Sequence, residues 1–420
     1  MTAPPPSLRR SLGVVRVSLT GVGVILGAGV YALIGPAAAH AGAAMWLAFA
    51  LAGLTAGLTA YSYARFARLR PKASPEFQYT ALAFGPLAGF IAGWLMLLAD
   101  LLAAATVALG FGGYLAHLTG TAVVVNALGL LLVMALLVAA GVESSVGLAV
   151  VLTIVEAAGL LFVVAVGLPS WAGTDFLEAP AGVGGVWSAA ALIFFAYIGF
   201  DELGNFAEEM RRPERDLPRA LFMAMVTTTV IYVLVALSAV AAVGASALAG
   251  SKAPLALVAH AALGPRADAV FSVVALCATA NTVLLLVASG ARSVYGMAEA
   301  GVLPRPLARI HRRTAVPLVA TAVVIGVTVT FLFLGDLAYV ASLTDAAVLA
   351  SFTMVNLALV WLAISARIPR RPLDFALPLL AALLCVGLIT RTGWPGLLMT
   401  AGFAVLGLVL ALSLRRPPRP

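Results

Sequence analysis

Long apolar segments recur along nearly the whole chain, and they constrain its fold more than any other feature. About twelve such segments alternate with short stretches that carry most of the charged residues. An apolar run of about 20 residues can cross the hydrocarbon core of a bilayer as a helix. Only 10% of the 420 residues are charged, whereas soluble domains average about 25%. The sequence therefore predicts an α-helical membrane protein with many spans.

The apolar segments place twelve predicted spans, and the basic residues between them predict the orientation. The spans cover residues 13–35, 41–63, 88–115, 121–141, 145–168, 186–210, 219–243, 267–292, 316–334, 338–366, 374–391 and 395–414. Lys and Arg are retained on the cytoplasmic side of short loops. With the N-terminus inside, only Lys252, Arg266 and Arg391 of the 25 Lys and Arg residues fall outside. We therefore predict a multi-pass protein of the cytoplasmic membrane with both termini cytoplasmic.

Other classes of function find little support in the residues. The net charge of +8 comes from short Arg clusters between apolar segments, not from basic patches interleaved with aromatic residues. Cys277 and Cys385 lie in apolar segments and form no metal-ligand pattern, so we expect both to be small core residues. No Walker A motif, HExxH motif or Ser/His/Asp set is visible. We expect no nucleic-acid partner, no metal, no cofactor and no enzymatic activity.

Two spans contain residues that disfavour a continuous helix. Gly23, Gly27 and Gly29 cluster near the middle of the first span, and the sixth span reads FFAYIGFD at 194–201. Each glycine weakens a helix by about 1 kcal/mol relative to alanine, and unwound backbone is tolerated in a bilayer where it is buried or lines a cavity. The alternative is close packing of helices through Gly23 and Gly27.

The positions of these interruptions, in spans one and six, favour unwinding over simple packing. Breaks five spans apart are expected of a five-helix repeat, and an odd number of helices makes the two copies run in opposite directions. This is the inverted-repeat plan of secondary transporters, which hold substrate at the midplane. N–H groups exposed after the first break suit a carboxylate, and free carbonyls before each break suit an ammonium group. Together these groups fit the backbone of an amino acid.

Three segments carry a family resemblance. They read GVGVILGAGVYALIGPAAAHAG at 21–42, FFAYIGFDELGNFAEEMRRPERDLPRA at 194–220 and ASGARSVYGMAEAGVLPRPLARIHRRTAVP at 288–317. From about residue 10 to 366 the chain resembles the amino acid–polyamine–organocation superfamily of permeases, close to its cationic-amino-acid-transporter-like branch. The resemblance implies an all-α, LeuT-like fold in which a five-plus-five inverted repeat precedes two extra helices. The expected divisions are a tail at 1–12, repeats at 13–168 and 186–366, helices eleven and twelve at 374–414, and a tail at 415–420.

The resemblance also implies a substrate site between the two breaks. The substrate carboxylate would meet the N–H groups of Gly27, Ala28 and Gly29. The substrate amine would meet carbonyls in the two unwound segments, at Val24, Ile25, Phe195 and Ala196, with Tyr197 and Ile198 adjoining. Phe195 stands where relatives carry an aromatic gate over bound substrate. The alternative for Phe195 is an aromatic ring that faces the core or the lipid.

Acidic residues inside the spans form a second set of candidates. Asp100, Glu156, Asp201 and Asp345 lie within predicted spans, and Glu208 and Glu209 lie near the end of the sixth. An ionised carboxylate at a helix centre costs ~2.5–3.5 kcal/mol, so such residues mark functional sites by default.

Glu156 is the sharpest of these candidates because it lies mid-span with no basic residue in any span centre. Burial then favours the neutral carboxyl, which could load and release a proton as water access alternates. Proton-coupled relatives carry a lysine in this region, so glutamate departs from their pattern. The alternative is a protonated Glu156 that is bonded permanently to a backbone carbonyl.

Two further acids take their expected roles from the resemblance. The helix of Asp100 borders the pocket for the substrate side chain in relatives, where a carboxylate would attract Lys, Arg, ornithine or a polyamine. The alternative for Asp100 is a hydrogen-bonded structural role. Asp201 matches an acidic position of the family after the second break, where we expect coupling or gating.

The combined prediction is a secondary active transporter that moves amino acids by alternating access, with the proton as coupling ion. An amino-acid exchanger and a polyamine transporter remain as alternatives. A nutrient sensor would need a regulatory tail, and the tails outside the spans are short. An ion channel would need a selectivity-filter motif, which is not visible. The substrate side chain, the coupling ion and the oligomeric state stay open.

Overall fold

Helices account for nearly all of the chain that the structure describes. A computed structural model describes residues 13–69, 75–140, 146–201, 203, 210, 212–299, 303–311, 314, 316–369 and 371–413. Within these residues, eight helices are long and apolar enough to cross a membrane by length and composition, and five shorter apolar helices have 10–17 residues. The chain is therefore a helical membrane protein. Glu208 and Glu209 lie outside the described residues.

The described residues of the first half contain seven α-helices, and the first predicted span is split between two of them. They are α1 (Val14–Leu26), α2 (Ala28–Ala41), α3 (Met45–Leu69), α4 (Pro75–Phe84), α5 (Pro86–Thr119), α6 (Val123–Ala139) and α7 (Val146–Gly167). The helix α4 falls where the sequence predicted only a loop between spans two and three. It has ten residues, too few for the length criterion of a span, and its start has proline at the first helical position followed by an acid.

In the part of the second half that the structure describes, there are nine α-helices. They are α8 (Gly182–Ile193), α9 (Pro213–Val243), α10 (Ala245–Gly250), α11 (Pro254–Leu263), α12 (Pro265–Glu299), α13 (Leu318–Leu332), α14 (Leu337–Ile364), α15 (Pro372–Ile389) and α16 (Gly393–Ser413). A 3₁₀ turn, Phe194–Tyr197, continues α8. The helices α10 and α11 occupy another segment that was predicted as a loop. Cys277 on α12 is exposed, contrary to prediction, while Cys385 on α15 is buried as predicted.

Helices of the two halves pack in matched pairs. The contact of α1 with α9 has a counterpart in that of α8 with α3, and the contact of α5 with α14 has a counterpart in that of α12 with α7. In each comparison, every helix of the first contact is replaced in the second by the helix five spans before or after it in the predicted order. The contacts of α3 with α9 and of α5 with α12 each join two helices that occupy the same place in the two halves. The two halves therefore interlock instead of forming separate bundles.

A buried ion pair joins α3 to α15. The guanidinium of Arg65 donates from Nε to Asp374 Oδ1 over 2.6 Å and from Nη2 to Oδ2 over 2.5 Å. The Tyr61 hydroxyl donates to the same Oδ1 over 2.7 Å, and Arg65 and Asp374 are 8% and 0% exposed. The sequence placed Arg65 in a loop, but α3 continues to Leu69 and buries this side chain. The pair attaches α15 to α3.

We expect loss of one partner of this pair to be costly. Asp374→Asn should lower the free energy of unfolding by ~3–5 kcal/mol, because it leaves a buried guanidinium without its counter-charge. The measurement is thermal unfolding of the purified protein in lipid nanodiscs. The control is Glu178→Gln, which changes an exposed carboxylate and should change the midpoint little. Equal midpoints for the two variants would contradict a stabilising role for the pair, and Arg65→Met combined with Asp374→Leu should recover most of the loss.

Candidate functional site

The first predicted span is interrupted at Gly27. This residue ends α1 and precedes α2, and its φ of −41° and ψ of −162° leave the helical region. A side-chain carbon at Gly27 would lie 2.8 Å from Thr282 Oγ1 and 3.3 Å from the Val24 carbonyl oxygen. Close packing therefore also requires glycine here.

The sixth predicted span is interrupted after its 3₁₀ turn. Ile198 is extended, with φ −60° and ψ 140°, and Gly199 has a φ of +115°, a region that L side chains rarely adopt. The N–H of Gly199 donates to Asp201 Oδ1 over 3.0 Å. Asp201 is 4% exposed and has a further interaction. Its carboxylate therefore holds the backbone turn that follows the break.

The two breaks contact each other directly. A side-chain carbon at Gly29 would lie 2.6 Å from Ala196 Cα. One at Gly199 would lie 2.8 Å from Val24 Cγ1. The structure thus brings together the two segments that the sequence singled out, and glycine makes this approach possible.

Tyr232 on α9 joins the carbonyl groups of both breaks. Its hydroxyl lies 2.5 Å from the Ile25 carbonyl oxygen and 3.1 Å from that of Ala196, so its one hydrogen is shared between the two acceptors. The ring is fully buried and contacts the Tyr197 ring edge to face at 5.3 Å. The Tyr232 hydroxyl therefore satisfies two carbonyls that the breaks remove from helical bonding.

Thr282 on α12 provides a hydrogen-bond acceptor for a backbone N–H group at the first break. Its Oγ1 accepts from the N–H of Ala28 over 3.3 Å and donates to the Ala278 carbonyl oxygen over 3.1 Å. Among the described residues, no hydrogen bond joins the N–H groups of Gly27 or Gly29 to a side chain. Of the three N–H groups predicted to meet a carboxylate, the structure therefore engages Ala28.

The remaining residues of the second break are buried. Phe195, Ala196 and Tyr197 are 5%, 2% and 0% exposed, and Phe195 is therefore not a lipid-facing ring. The Phe195 carbonyl oxygen accepts from the Ile198 N–H over 3.2 Å. The Tyr197 hydroxyl donates to the Phe49 carbonyl oxygen on α3 over 2.8 Å.

Glu156 lies on α7 beside this region. Its backbone carbonyl accepts from the Tyr31 hydroxyl over 2.8 Å, and its carboxyl is close enough to act electrostatically on the hydroxyls of Tyr31 and Tyr232. The side chain is 1% exposed, and within the described residues neither carboxyl oxygen has a hydrogen-bond partner. The structural alternative required a hydrogen bond from this carboxyl to a backbone carbonyl, and within the described residues no such bond is present.

Asp100 lies on α5, displaced from the breaks along the helix axis. A side-chain carbon at Gly110 on α5 would contact Ala32 on α2. Three residues later on each helix, side-chain carbons at Gly113 and at Gly35 would both contact the 248–254 segment. The helices α2 and α5 therefore run in the same direction. Ten residues separate Asp100 from Gly110, or about 15 Å, whereas Gly27 precedes Ala32 by about 7.5 Å. With the two helix axes taken as parallel, the helical rise places Asp100 about 7 Å to the N-terminal side of the break. It is 8% exposed and engaged in an interaction.

An aromatic cluster packs on the α4 side of the breaks. We define it by Tyr63, Phe66, Tyr79, Phe200 and Phe352. The Tyr63 ring contacts those of Tyr79, Phe200 and Phe352 at 5.5–5.7 Å, and the Phe66 and Tyr79 rings stack at 4.6 Å. All five side chains are at most 1% exposed. The five rings are therefore closely packed on this side of the breaks.

A cavity of about 330 Å³ lies on the opposite side. We call it the α14 pocket; it is bounded by the end of α2, by α8, by the first turns of α14 and by the turn between α15 and α16. Its lining includes His40, Ser188, Leu192, Tyr339, Ser342 and Arg391. Leu192 precedes Phe195 by three residues, so the pocket lies about one helical turn from Phe195.

Tyr232 and Thr282 were missed by sequence reasoning. Each is one of several polar residues in an apolar helix, since α9 also contains Thr227 and Thr228 and α12 also contains Thr279. Nothing local distinguishes the residue that faces a break. The available signal was the requirement that carbonyl and N–H groups at a break find partners.

We expect Tyr232→Phe to keep the ring packing and lose the link between the breaks. Two buried carbonyls then lack their donor, which should cost ~1–3 kcal/mol of unfolding free energy. Thermal unfolding in nanodiscs measures this cost, with Tyr295→Phe on α12 as the control. A variant as stable as wild type would show that the hydroxyl does not join the two segments.

Comparison with known proteins agrees with this geometry. A family model described as amino acid permease matches residues 12–412. The chain is 29% identical to a branched-chain amino acid permease of Bacillus subtilis (strain 168), over 97% of this chain and 94% of that protein. It is 30% identical to the vacuolar cationic amino acid transporter 2 of Arabidopsis thaliana, over 83% of this chain and 59% of that protein.

A third relative is named for a substrate that is not an amino acid. The chain is 30% identical to a methylthioribose transporter of Bacillus subtilis (strain 168), over 84% of this chain and 81% of that protein. Within the described residues, no group of three or more His, Cys, Asp or Glu side chains could hold a metal ion. The chain belongs to the amino acid permease family, in the cationic-amino-acid-transporter-like branch of the amino acid–polyamine–organocation superfamily, and is a membrane transporter rather than an enzyme.

Proposed function

We propose that this protein is a secondary active transporter that moves amino acids across the cytoplasmic membrane by alternating access. One observation carries the proposal: the two broken spans meet beside their breaks, where Gly29 packs on Ala196 and Gly199 packs on Val24, away from the ends of the spans. They offer backbone carbonyl and N–H groups together, and an amino acid carries an ammonium and a carboxylate on one carbon.

The proposed architecture has twelve spans in a five-plus-five, LeuT-like inverted repeat, with α15 and α16 as the extra pair. The repeats are residues 13–168 and 186–366. The matched packing of α1 on α9 and α8 on α3, and of α5 on α14 and α12 on α7, supports this arrangement. The distribution of Lys and Arg supports cytoplasmic termini.

The proposed substrate contacts follow from the polarity of each break. The carboxylate is bound by the N–H groups of Gly27 and Gly29, at the N-terminus of α2, where the helix dipole favours an anion. The amine is bound by the carbonyls of Ile25 and Ala196, together with those of Val24 and Phe195. Each carbonyl oxygen has two lone pairs, so it can accept from the ammonium group and from Tyr232.

The substrate side chain is the part that family membership leaves open, because relatives carry branched-chain amino acids, cationic amino acids and methylthioribose by name. We place the side chain beside α5. The offset of about 7 Å between the break and Asp100, taken from the helical rise, suits a long cationic side chain, since lysine carries its ammonium on a four-carbon stem. Asp100 is the proposed determinant for Lys, Arg or a polyamine.

Alternating access is supported by the difference between the two sides of the breaks. The aromatic cluster closes the α4 side, whereas the α14 pocket adjoins Phe195 on the other side. We propose that Phe195 is the gate toward the pocket, and that Asp201, which holds the turn below the break, couples substrate binding to movement of the cluster through Phe200.

Proton coupling is assigned to Glu156. A carboxyl that is buried without a hydrogen-bond partner is neutral at rest, because an ionised one would carry an uncompensated charge. Its proximity to Tyr31 and Tyr232 places it next to the first break, where substrate binding could change its access to water.

The backbone site is tested by Gly29→Ala. The added carbon would lie 2.6 Å from Ala196 Cα, so we expect loss of radiolabelled amino-acid uptake into proteoliposomes while the protein still inserts and folds. Gly57→Ala, where nothing lies within 4 Å, is the matched control. Amino-acid amides, which lack the carboxylate, should compete poorly. Strong competition by amides would overturn the carboxylate assignment.

The coupling role is tested by Glu156→Gln, which mimics the protonated carboxyl. The variant should bind substrate and exchange it across the membrane, yet lose accumulation driven by an imposed pH gradient, because the titrating group is gone. Glu178→Gln, at an exposed position, is the control and should behave as wild type. Undiminished gradient-driven accumulation in the Glu156 variant would make that residue structural.

A further inference from the structure

A second acid in the membrane region lacks the partners that a structural acid has. Asp345 on α14 is 0% exposed, and within the described residues neither carboxyl oxygen has a hydrogen-bond partner. Other buried acids are engaged: Asp374 binds Arg65, Glu76 accepts from Tyr63, and Asp201 accepts from Gly199. Asp345 therefore contributes no recorded contact that would explain its burial.

Burial of such a group has a cost without a structural return. An unpaired polar group in an apolar interior is destabilising, and an ionised carboxylate is more so. A buried unsatisfied group therefore calls for an explanation, and an ionisable one within a membrane span marks a functional site by default.

Neighbouring charges do not explain Asp345 either. No charged group of the described residues acts on its carboxyl electrostatically. The titratable and charged groups of the elements packed against α14 are Tyr31 and His40 of α2, Tyr61, Tyr63, Arg65 and Arg68 of α3, Glu76 and Tyr79 of α4, Asp100, Tyr114 and His117 of α5, Tyr197 of the 3₁₀ turn, and Asp374 and Cys385 of α15. The sequences of α8 and α16 contain none.

The position of Asp345 on α14 connects it to the pocket and to the second break. Ser342, one turn earlier on the same face, lines the α14 pocket. Phe352, two turns later on that face, contacts the Phe194 ring at 6.0 Å and the Phe200 ring at 5.2 Å. The carboxyl therefore lies between a cavity and the segment proposed to move.

Glu156 and Asp345 also occupy corresponding places in the two halves. Glu156 lies ten residues after Val146, the first residue of α7, and Asp345 lies eight residues after Leu337, the first residue of α14. The helix α7 packs on α1, and α14 packs on α8 and its 3₁₀ turn. Each acid is thus near the same depth of a helix that contacts the broken span of its own half.

We propose that Asp345 is a second proton-binding site, which is loaded through the α14 pocket and is the counterpart of Glu156 in the second half of the chain. Inverted halves place the two carboxyls toward opposite membrane surfaces. Each acid then exchanges its proton with a different side as the breaks open and close. The assignment rests on the proposed transport function, but its test below does not depend on transport.

Infrared difference spectroscopy of the purified protein in lipid tests the proposal directly. Wild type, titrated from acid to alkaline buffer, should lose two carbonyl-stretch bands of buried protonated carboxyls. Asp345→Asn should lack one band and Glu156→Gln the other. Asp336→Asn, at the exposed start of the same helix, should keep both. An unchanged spectrum for Asp345→Asn, or a band that responds to sodium instead of pH, would overturn the proposal.

Access through the pocket and a merely structural role are separated by two further measurements. Ser342→Leu should slow hydrogen–deuterium exchange of the Asp345 band and leave that of Glu156 unchanged; equal rates at Asp345 would exclude the pocket as the route. Thermal unfolding of Asp345→Asn should match wild type or exceed it, because no hydrogen bond is lost. A large loss of stability would identify a structural acid. If amino-acid uptake fails while both bands titrate, the proposed substrate is wrong and the proton site stands.

Discussion

Backbone hydrogen bonding at the two helix breaks is the constraint on which the rest of this structure depends. Polar backbone groups in a hydrocarbon environment need internal partners, and each break removes some of those partners. Thr282 supplies an acceptor to Ala28, and Tyr232 supplies a donor to Ile25 and Ala196. The packing of α9 and α12 around the breaks therefore determines whether unwound backbone is tolerated at this depth.

The buried acids divide into two groups by the same criterion. Asp374 has a bidentate guanidinium and a tyrosine hydroxyl, and it holds α15 against α3. Asp201 holds the backbone of Gly199. Glu156 and Asp345, in contrast, have no hydrogen-bond partner among the described residues. Removing such a carboxyl takes away no hydrogen bond among the described residues, and this is why we propose proton binding for both acids.

Particular residues show how far the sequence could predict the site. Gly27 and the 194–201 segment identified the breaks, because the low helix propensity of glycine is a local property that needs no tertiary contact. The partners Tyr232 and Thr282 escaped notice, because one polar residue among several in an apolar helix does not reveal which face it occupies. Arg65 was assigned to a loop, since hydropathy registers its charge and not the Asp374 that neutralises it more than 300 residues away.

The sequence by itself determined the membrane class, the order of the apolar segments, the positions of the breaks and the family, because hydropathy and glycine placement act over a few residues to a few tens of residues. Only the tertiary structure decided which acids are paired, how far Asp100 lies from the breaks and which side chains complete the broken backbone. These properties depend on contacts between helices distant in the chain. A buried carboxyl has the same sequence context whether its partner is an arginine or nothing, and its chemistry differs completely between the two.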